Sequence, residues 1–193
     1  YHKLSNDTAL MNNDGYLDVF ACHDDALSRM WMGGPEGTLT PAPGLIPLED
    51  YALVDYPGND HSGNYGSVFC DFDTDGDIDL FIAKCRQFVN DPNDPRRINQ
   101  LWVNDGNGNF TEEALERGLV FYEQSWTVDF ADIDNDGDFD CLVTNHSTSL
   151  YILENDGDGY FTNITVDAGL DVEGFFLQAK MEDFDNDGYV DLV

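Results

Sequence analysis

The amino-acid sequence predicts an all-β fold made of repeated four-stranded antiparallel sheets. Three observations support this prediction. An acidic segment with a central glycine occurs four times, a glycine-rich turn separates successive copies, and short runs of β-branched and aromatic residues flank both features. Runs of this kind, punctuated by Asp, Asn and Gly, are typical of antiparallel hairpins.

The acidic segment sets the period of the repeat. Its glycines lie 61, 61 and 51 residues apart, at Gly15, Gly76, Gly137 and Gly188. Measured against the glycine-rich turns, the core repeat is 51 residues long, and each of the two longer copies carries a 10-residue insertion. One insertion falls within 48–65 and the other within 85–97. We interpret residues 1–193 as one segment of such repeats.

Each repeat contains four predicted strands. In the second copy they are the runs GSVFC, DLFIA, QLWVN and NFTEEA, with the acidic segment after the first run and the glycine-rich turn after the third. A four-stranded meander of 51 residues fits a blade of a β-propeller better than a sandwich. The chain holds three and a half such units, whereas propellers close with about four to eight blades. We therefore expect part of a larger propeller.

The composition narrows the classes of partner. The chain has 39 acidic against 8 basic residues and a net charge of −31, which repels nucleic acid and anionic membrane surfaces and attracts cations. The 41% share of hydrophobic residues is sufficient for a packed core, and no apolar run approaches the ~20 residues of a membrane span. The first residues lack a basic stretch followed by an apolar one, so secretion has to be inferred indirectly.

The motifs also resemble a known family. DxDxDGDxDLF, LWxNxGxGxFT and AxxxGL recur over essentially the whole chain. They are similar to the FG-GAP or VCBS-type repeats of integrin α-chains and bacterial surface proteins, especially the variant in ASPIC/UnbV-type proteins. The resemblance implies a propeller, commonly of seven blades, with calcium in a loop between two strands of several blades.

The acidic segments are candidate calcium sites, which we call the first loop (10–18), the second loop (71–79), the third loop (132–140) and the fourth loop (183–191). Calcium takes six to eight oxygens, and alternate loop positions supply carboxylates, with the backbone carbonyl at position 7. The expected ligands of the last three loops are Asp71, Asp73, Asp75, Asp77 and Asp79, then Asp132, Asp134, Asp136, Asp138 and Asp140, then Asp183, Asp185, Asp187, Tyr189 and Asp191. The first loop has Leu10 at position 1 and offers Asn12, Asp14 and Asp18, so we expect it to bind calcium weakly or to stay empty.

Other metal sites fit the residues less well. An EF-hand needs a bidentate Glu at position 12, where this chain has Ile82 and Val143. Zinc favours His and Cys, which the loops lack, and magnesium prefers to keep its waters. The four cysteines are Cys22, Cys70, Cys85 and Cys141. Their spacing is compatible both with disulfides and with buried free thiols.

The two insertions indicate where a partner binds. Alternate connections of a meander lie on opposite faces, so both insertions are expected on the face away from the acidic loops, where integrin-like propellers engage ligands. The alternative is that they are tolerated surface loops. The candidate contact residues are Tyr51, Tyr56, His61, Tyr65, Phe88, Arg96 and Arg97.

These observations favour a binding module over an enzyme. The sequence has no motif for nucleophilic, zinc-hydrolytic or phosphate chemistry. We expect an extracellular, calcium-binding propeller that mediates adhesion or protein interaction, with a protein or glycan ligand. The alternative is the propeller of a secreted carbohydrate-binding or polysaccharide-processing protein, including one whose catalytic domain lies outside this chain.

Overall fold

The computed structural model describes residues 6–48, 62–146 and 148–193. Apart from a short 3₁₀ turn at Pro35–Gly37, the regular elements of these ranges are β-strands. They form sheets in which each strand pairs antiparallel with the next along the chain. The predictions of an all-β fold and of four-stranded repeats are thus confirmed.

Three sheets have four strands each. The first sheet contains β1 (Asn6–Ala9), β2 (Asp18–Ala21), β3 (Arg29–Gly34) and β4 (Thr38–Pro41). The second sheet contains β5 (Asn64–Cys70), β6 (Asp79–Lys84), β7 (Gln100–Asn104) and β8 (Phe110–Glu112). The third sheet contains β9 (Ser125–Ala131), β10 (Asp140–Asn145), β11 (Tyr151–Asn155) and β12 (Phe161–Asn163). The fourth sheet is the pair β13 (Met181–Glu182) and β14 (Asp191–Leu192), consistent with a partial, unclosed propeller.

The hydrophobic core lies between successive sheets. On β6, Leu80 and Ile82 belong to the cluster shared with the first sheet, while Phe81 and Ala83 belong to the cluster shared with the third. A strand covered on both faces needs a continuous apolar run, which explains the sequence LFIA. Trp102 on β7 packs in the same core and is only 2% exposed.

The first strands of the sheets lie beside one another. β5 contacts both β1 and β9, and β9 also contacts β13. Between the third and fourth sheets, the Lys180 ammonium lies 2.6 Å from Asp129 Oδ1, and the N–H of Met181 donates to Asp129 Oδ2 at 2.8 Å. The neighbouring sheets are therefore joined at their inner edges by polar contacts as well as by the core.

The connections divide between two faces. The acidic loops and the glycine-rich turns meet on one face, where a Cβ on Gly106 would lie 2.2 Å from the Asp77 carboxylate. On the other face, which we call the opposite face, the N–H of Gly63 donates to Asp24 O at 2.9 Å and the N–H of Cys85 donates to Gly63 O at 2.8 Å. The described insertion 85–97 begins there. Tyr51, Tyr56 and His61 lie outside the described residues.

The four cysteines are free thiols in this structure. Cys22, Cys85 and Cys141 are buried, and Cys70 is half-buried. Burial raises the pKa of Cys85 to about 12, so its thiolate is scarce near neutral pH. The sequence left disulfides and thiols open, and the described fold holds together without disulfides.

Candidate metal centres on the acidic loops

Each acidic loop has a sharp local turn set by its own side chains. In the second loop, the N–H of Gly76 donates to Asp71 Oδ2 at 3.1 Å, and that of Asp77 donates to Asp75 Oδ1 at 2.9 Å. Position 5 is followed by a glycine with positive φ, for example 92° at Gly76, which residues with a Cβ rarely adopt. These bonds turn successive carboxylates toward one centre.

Position 4 of every loop is also left-handed, which the sequence interpretation missed. The residues there and their φ angles are Asn13 (54°), Thr74 (56°), Asn135 (65°) and Asn186 (62°). Asn tolerates this region better than most residues, whereas β-branched Thr74 is strained in it. The recurrence of Asn at this position could have indicated the left-handed conformation.

The second loop gathers three carboxylates, of which Asp79 is buried and Asp71 and Asp73 are half-buried. Each offers an oxygen, and these oxygens lie within 4.8 Å of one another. The oxygens Asp71 Oδ1, Asp73 Oδ1 and Asp79 Oδ2 are buried and receive no hydrogen bond of normal geometry within the described part of the chain. The backbone N–H groups of Phe72 and Asp75 lie near Asp79 and Asp73 and offset the cost of their charge only in part. Asp79 is only 1% exposed. Buried carboxylate oxygens without a donor are costly, and a cation of calcium type fits their chemistry.

The third and fourth loops gather similar groups. Oxygens of Asp132, Asp134 and Asp136 lie within 4.8 Å of one another. The same holds for Asp183, Asp185 and Asp191. The side-chain oxygens of Asp75, Asp140 and Asp187 are not members of these groups. The groups contain side-chain oxygens alone, so they do not test the expected backbone carbonyls of Asp77, Asp138 and Tyr189. Their role as ligands stays a prediction.

The carboxylates at position 7 point toward the neighbouring glycine-rich turn. A Cβ on Gly157 would lie 3.2 Å from Asp138 Oδ2, the counterpart of the contact between Gly106 and Asp77. Asp138 is 8% exposed, and its Oδ1 makes no hydrogen bond within the described residues. Only the backbone carbonyl of this position was expected to bind metal, so the side chain is an additional polar group beside the loop.

Position 9 joins the loop to the third strand in each of the three four-stranded sheets. Asp140 accepts the N–H of Ile133 and the N–H of Asn155, both at 2.9 Å. In the first loop, Asp18 accepts the N–H of Met11 at 3.0 Å and that of Gly33 at 2.8 Å. This carboxylate therefore has a structural role even where the loop lacks the full acidic set.

The first loop satisfies its acidic groups internally. Asn12 Nδ2 donates to Asp14 Oδ2 at 3.0 Å, and the N–H of Tyr16 donates to Asp14 Oδ1 at 2.8 Å. Asp18 is fully buried and bonded as described above. These hydrogen bonds account for Asp14 and Asp18 without a metal, and weak or absent calcium binding stays the prediction for this loop.

The loops are electrostatically unfavourable as carboxylate clusters alone. Burial raises the pKa of Asp79 to about 8, although the N–H of Asn104 opposes the shift. Burial, followed by the nearby Asp136 charge, raises the pKa of Asp138 to about 6. Burial and then the Asp75 charge also raise the pKa of Asp73. A bound divalent cation would restore the ionised forms.

The glycine-rich turns contribute a contact between sheets that the sequence interpretation missed. Asn155 Nδ2 donates to Phe72 O of the second loop at 2.8 Å and to Phe139 O of the third at 3.1 Å, while Asn155 Oδ1 accepts the N–H of Gly159 at 3.0 Å. Asn104 makes the equivalent, longer contact with Met11 O of the first loop, at 3.4 Å. We call these two residues the turn asparagines. Their equivalent positions in the second and third copies of the repeat could have indicated this shared contact.

The opposite face carries an aromatic cluster and several arginines. The Tyr65 ring lies 4.8 Å from that of Trp126, and Trp126 stacks on His146 at 5.4 Å. Phe175 lies edge-on to both Trp126 and His146, at 5.8 and 4.8 Å. We call Tyr65, Trp126, His146 and Phe175 the aromatic cluster.

The insertion 85–97 presents an exposed aromatic residue and paired cations on the same face. Phe88 is 95% exposed. Arg96 pairs with Asp94 at 2.6 Å, and Arg97 Nη2 donates to Tyr122 O at 3.2 Å. Arg86 pairs with Asp25 and contacts Asp24. The insertion is therefore ordered by ion pairs around its exposed tip.

Comparison with known protein families finds the same repeats that the structure shows. A model of the FG-GAP-like repeat matches three times, over residues 11–82, 71–143 and 132–193. The chain belongs to the FG-GAP-like repeat family. Each match runs from one acidic loop through the next, so the loops are the shared landmarks of the FG-GAP-like repeats here. No curated protein matches the chain.

Within the described residues, no helix is long and apolar enough to cross a membrane.

Proposed function

We propose that this FG-GAP-like chain is a calcium-binding propeller module of an extracellular protein, in which calcium is a structural ion. The observation that carries the proposal is the second loop, where buried carboxylate oxygens without hydrogen-bond donors surround a common centre. A cation supplies the missing charge compensation.

Calcium suits these loops better than other metals do. The groups are formed by carboxylates alone, a hard oxygen set typical of calcium. The second loop would hold the ion with Asp71, Asp73 and Asp79, and the third and fourth loops with their equivalent groups. The ion would neutralise the carboxylates and fix the connection between the first two strands of a sheet.

The proposed location follows from mass action. An affinity near ~10⁻⁴ M is typical of extracellular calcium modules, and at about tenfold excess calcium each site adds ~1.4 kcal/mol to the free energy of unfolding. Extracellular calcium provides such an excess and cytosolic calcium does not. Calcium-dependent loops therefore favour an extracellular setting.

We propose further that the opposite face binds a protein partner in adhesion, and that the module itself is not an enzyme. The insertion 85–97 holds three of the eight basic residues, Arg86, Arg96 and Arg97, beside the exposed Phe88. Exposed aromatic and arginine side chains are enriched at protein interfaces. Extra loop length on a rigid sheet commonly carries specificity.

The aromatic cluster supports the second candidate function. Planar rings on the opposite face, with Phe175 57% exposed, offer surfaces on which a sugar ring can stack. This observation favours a carbohydrate-binding or polysaccharide-processing protein as the alternative to adhesion.

Calcium titration tests the structural-ion proposal. The chain is stripped with a chelator, returned to a range of calcium concentrations, and followed by thermal unfolding and titration calorimetry. We expect three binding events and a melting temperature that rises up to millimolar calcium, with a smaller effect of magnesium. No rise at millimolar calcium would overturn the proposal.

Loop exchange tests the binding face. Residues 85–97 are replaced by 146–148, the equivalent part of the shorter connection in the third copy, and adhesion of chain-coated beads to cells is counted. We expect adhesion to fall while the calcium-dependent melting temperature is kept. Unchanged adhesion would remove the insertion from the proposed interface, and inhibition by soluble sugars alone would favour the carbohydrate alternative.

A further inference from the structure

A cation of the protein itself lies beside the second loop. Arg117 Nη2 is 3.7 Å from Asp73 Oδ2, and the two side chains are only 13% and 14% exposed. Asp73 is one of the three carboxylates that converge in this loop. The guanidinium therefore faces a group that would hold calcium.

Arg117 is held in this place by several other contacts. Its Nε donates to Glu113 Oε2 at 2.9 Å, and its Nη1 donates to Asp158 O of the next turn at 2.7 Å. The guanidinium carbon lies 5.4 Å from the centre of the Phe72 ring and 4.8 Å from that of Tyr160. Because of these hydrogen bonds and ring contacts, Arg117 cannot move away from Asp73 without breaking contacts between the second and third sheets.

The third copy provides an internal comparison. Gly118 and Leu119 of the second copy correspond to Gly169 and Leu170, so the position of Arg117 is occupied by Ala168. The two segments fold alike: the N–H of Leu119 donates to Ala114 O at 2.8 Å, and the N–H of Leu170 to Thr165 O at 2.9 Å. The same local backbone thus carries a cation beside the second loop and an uncharged alanine at the equivalent position of the third copy.

We propose that Arg117 sets the calcium affinity of the second loop by competing with the ion for Asp73. The inference rests on the proposed function, since it requires calcium in these loops. Without metal, Arg117 compensates part of the acidic charge and supports the loop. With metal, it repels the ion and makes the second loop a weaker site than the third.

The sign of the effect follows from Coulomb's law. An ion bound to Asp73 would lie within about 6 Å of the guanidinium, since a calcium–oxygen bond adds about 2.4 Å to the separation of Asp73 and Arg117. At this separation, in a water-like dielectric, the repulsion between a unit charge and a divalent ion weakens binding by about tenfold. The fixed position of Arg117 prevents the chain from relieving that repulsion cheaply.

The test compares Arg117→Gln with Arg96→Gln in the whole 193-residue chain. Both variants remove one positive charge, but Arg96 lies on the opposite face and pairs with Asp94. Calcium binding is measured by calorimetry, and unfolding by urea in chelator. We expect Arg117→Gln to tighten one site by about tenfold and to lower the stability of the calcium-free chain, whereas Arg96→Gln leaves calcium affinity unchanged.

A second measurement is used if Arg117→Gln does not fold without metal. Calcium release from the loaded chain is followed by stopped-flow with a fluorescent chelator, which starts from the folded state. We expect slower release from one site in Arg117→Gln and wild-type release in Arg117→Lys, which keeps the charge.

The outcomes separate the inference from the proposed function. If Arg117 were only a packing residue, its loss would weaken calcium binding or leave it unchanged, and either result would overturn the inference. If the wild-type chain bound no calcium, the proposed function would fail and the inference with it. Calcium binding by the wild type with no tightening in Arg117→Gln would remove the inference alone.

Discussion

The substitution Asp79→Asn should stabilise the calcium-free chain more than the calcium-loaded chain. Asp79 is 1% exposed, and burial raises its pKa to about 8 from the ordinary value of 3.8. In chelator at pH 8, keeping this carboxylate in the fold costs on the order of 5 kcal/mol relative to the unfolded chain. Asparagine removes the charge, and its oxygen still accepts the N–H of Asn104, now 2.8 Å from Asp79 Oδ1.

The net effect of Asp79→Asn on stability combines the gain from removing the buried charge with the cost of introducing an amide group. The new amide N–H groups of asparagine are buried without an acceptor, which costs about 1–3 kcal/mol. In chelator at pH 8 the variant should therefore gain about 2–4 kcal/mol of unfolding free energy. In millimolar calcium this gain should shrink by the ~1.4 kcal/mol that a filled site contributes to the unmodified chain, to about 1–3 kcal/mol, and titration calorimetry should show one binding event fewer.

Asp18→Asn is the matched control. Asp18 has the same position in the first loop and accepts the N–H of Met11 and of Gly33, but this loop has no third carboxylate. Urea unfolding, followed by circular dichroism in chelator and in calcium, should show the same destabilisation of this control in both buffers. A change of equal size for Asp79→Asn in both buffers would refute the role of its carboxylate in metal binding.

Two further predictions concern the metal-free chain and the sheet contacts. Asp79 and Asp138 have folded pKa values of about 8 and about 6, above the unfolded 3.8, so their stabilisation is complete below pH 4 and is lost as pH rises through 6 and 8. The melting temperature in chelator should thus fall from pH 5 to pH 8, and millimolar calcium should flatten the slope; a rise in chelator would contradict the assignment. Asn155→Ala removes the bonds to Phe72 O and Phe139 O and should cost about 2–4 kcal/mol in urea unfolding, against under about 1 kcal/mol for the exposed Asn107→Ala; equal losses would exclude a joining role for Asn155.

The local features of the fold were available from the sequence. Runs such as GSVFC and DLFIA lie between turn residues, and the glycines of the acidic loops recur at nearly constant spacing, so strands, hairpins and loops could be predicted in order. The convergence of Asp71 and Asp73 follows from their spacing of two within one short turn. All of these features depend on residues that are close together in the chain, and a pattern of neighbouring residues can be recognised directly in the sequence.

The features that the sequence did not reveal are contacts between distant residues. Asn155 bonds a carbonyl 83 residues earlier in the chain, and Arg117 bonds the carbonyl of Asp158, 41 residues later. Neither residue type distinguishes such a contact from an ordinary hairpin turn or an exposed charge. The second role of Asp18 and Asp140, as acceptors for the third strand, was hidden for the same reason.

The turn asparagines determine where one structural module stops and the next starts. Because Asn155 from the third sheet closes on the loop of the second, and Asn104 on that of the first, a unit cut at the ends of a sheet would separate each loop from the side chain that fastens it. A chimaera should instead exchange at least two successive repeats, because Asn155 lies 83 residues after Phe72 and one core repeat has 51 residues. Such a graft carries a loop together with the turn asparagine of the following sheet, so that this fastening stays intact.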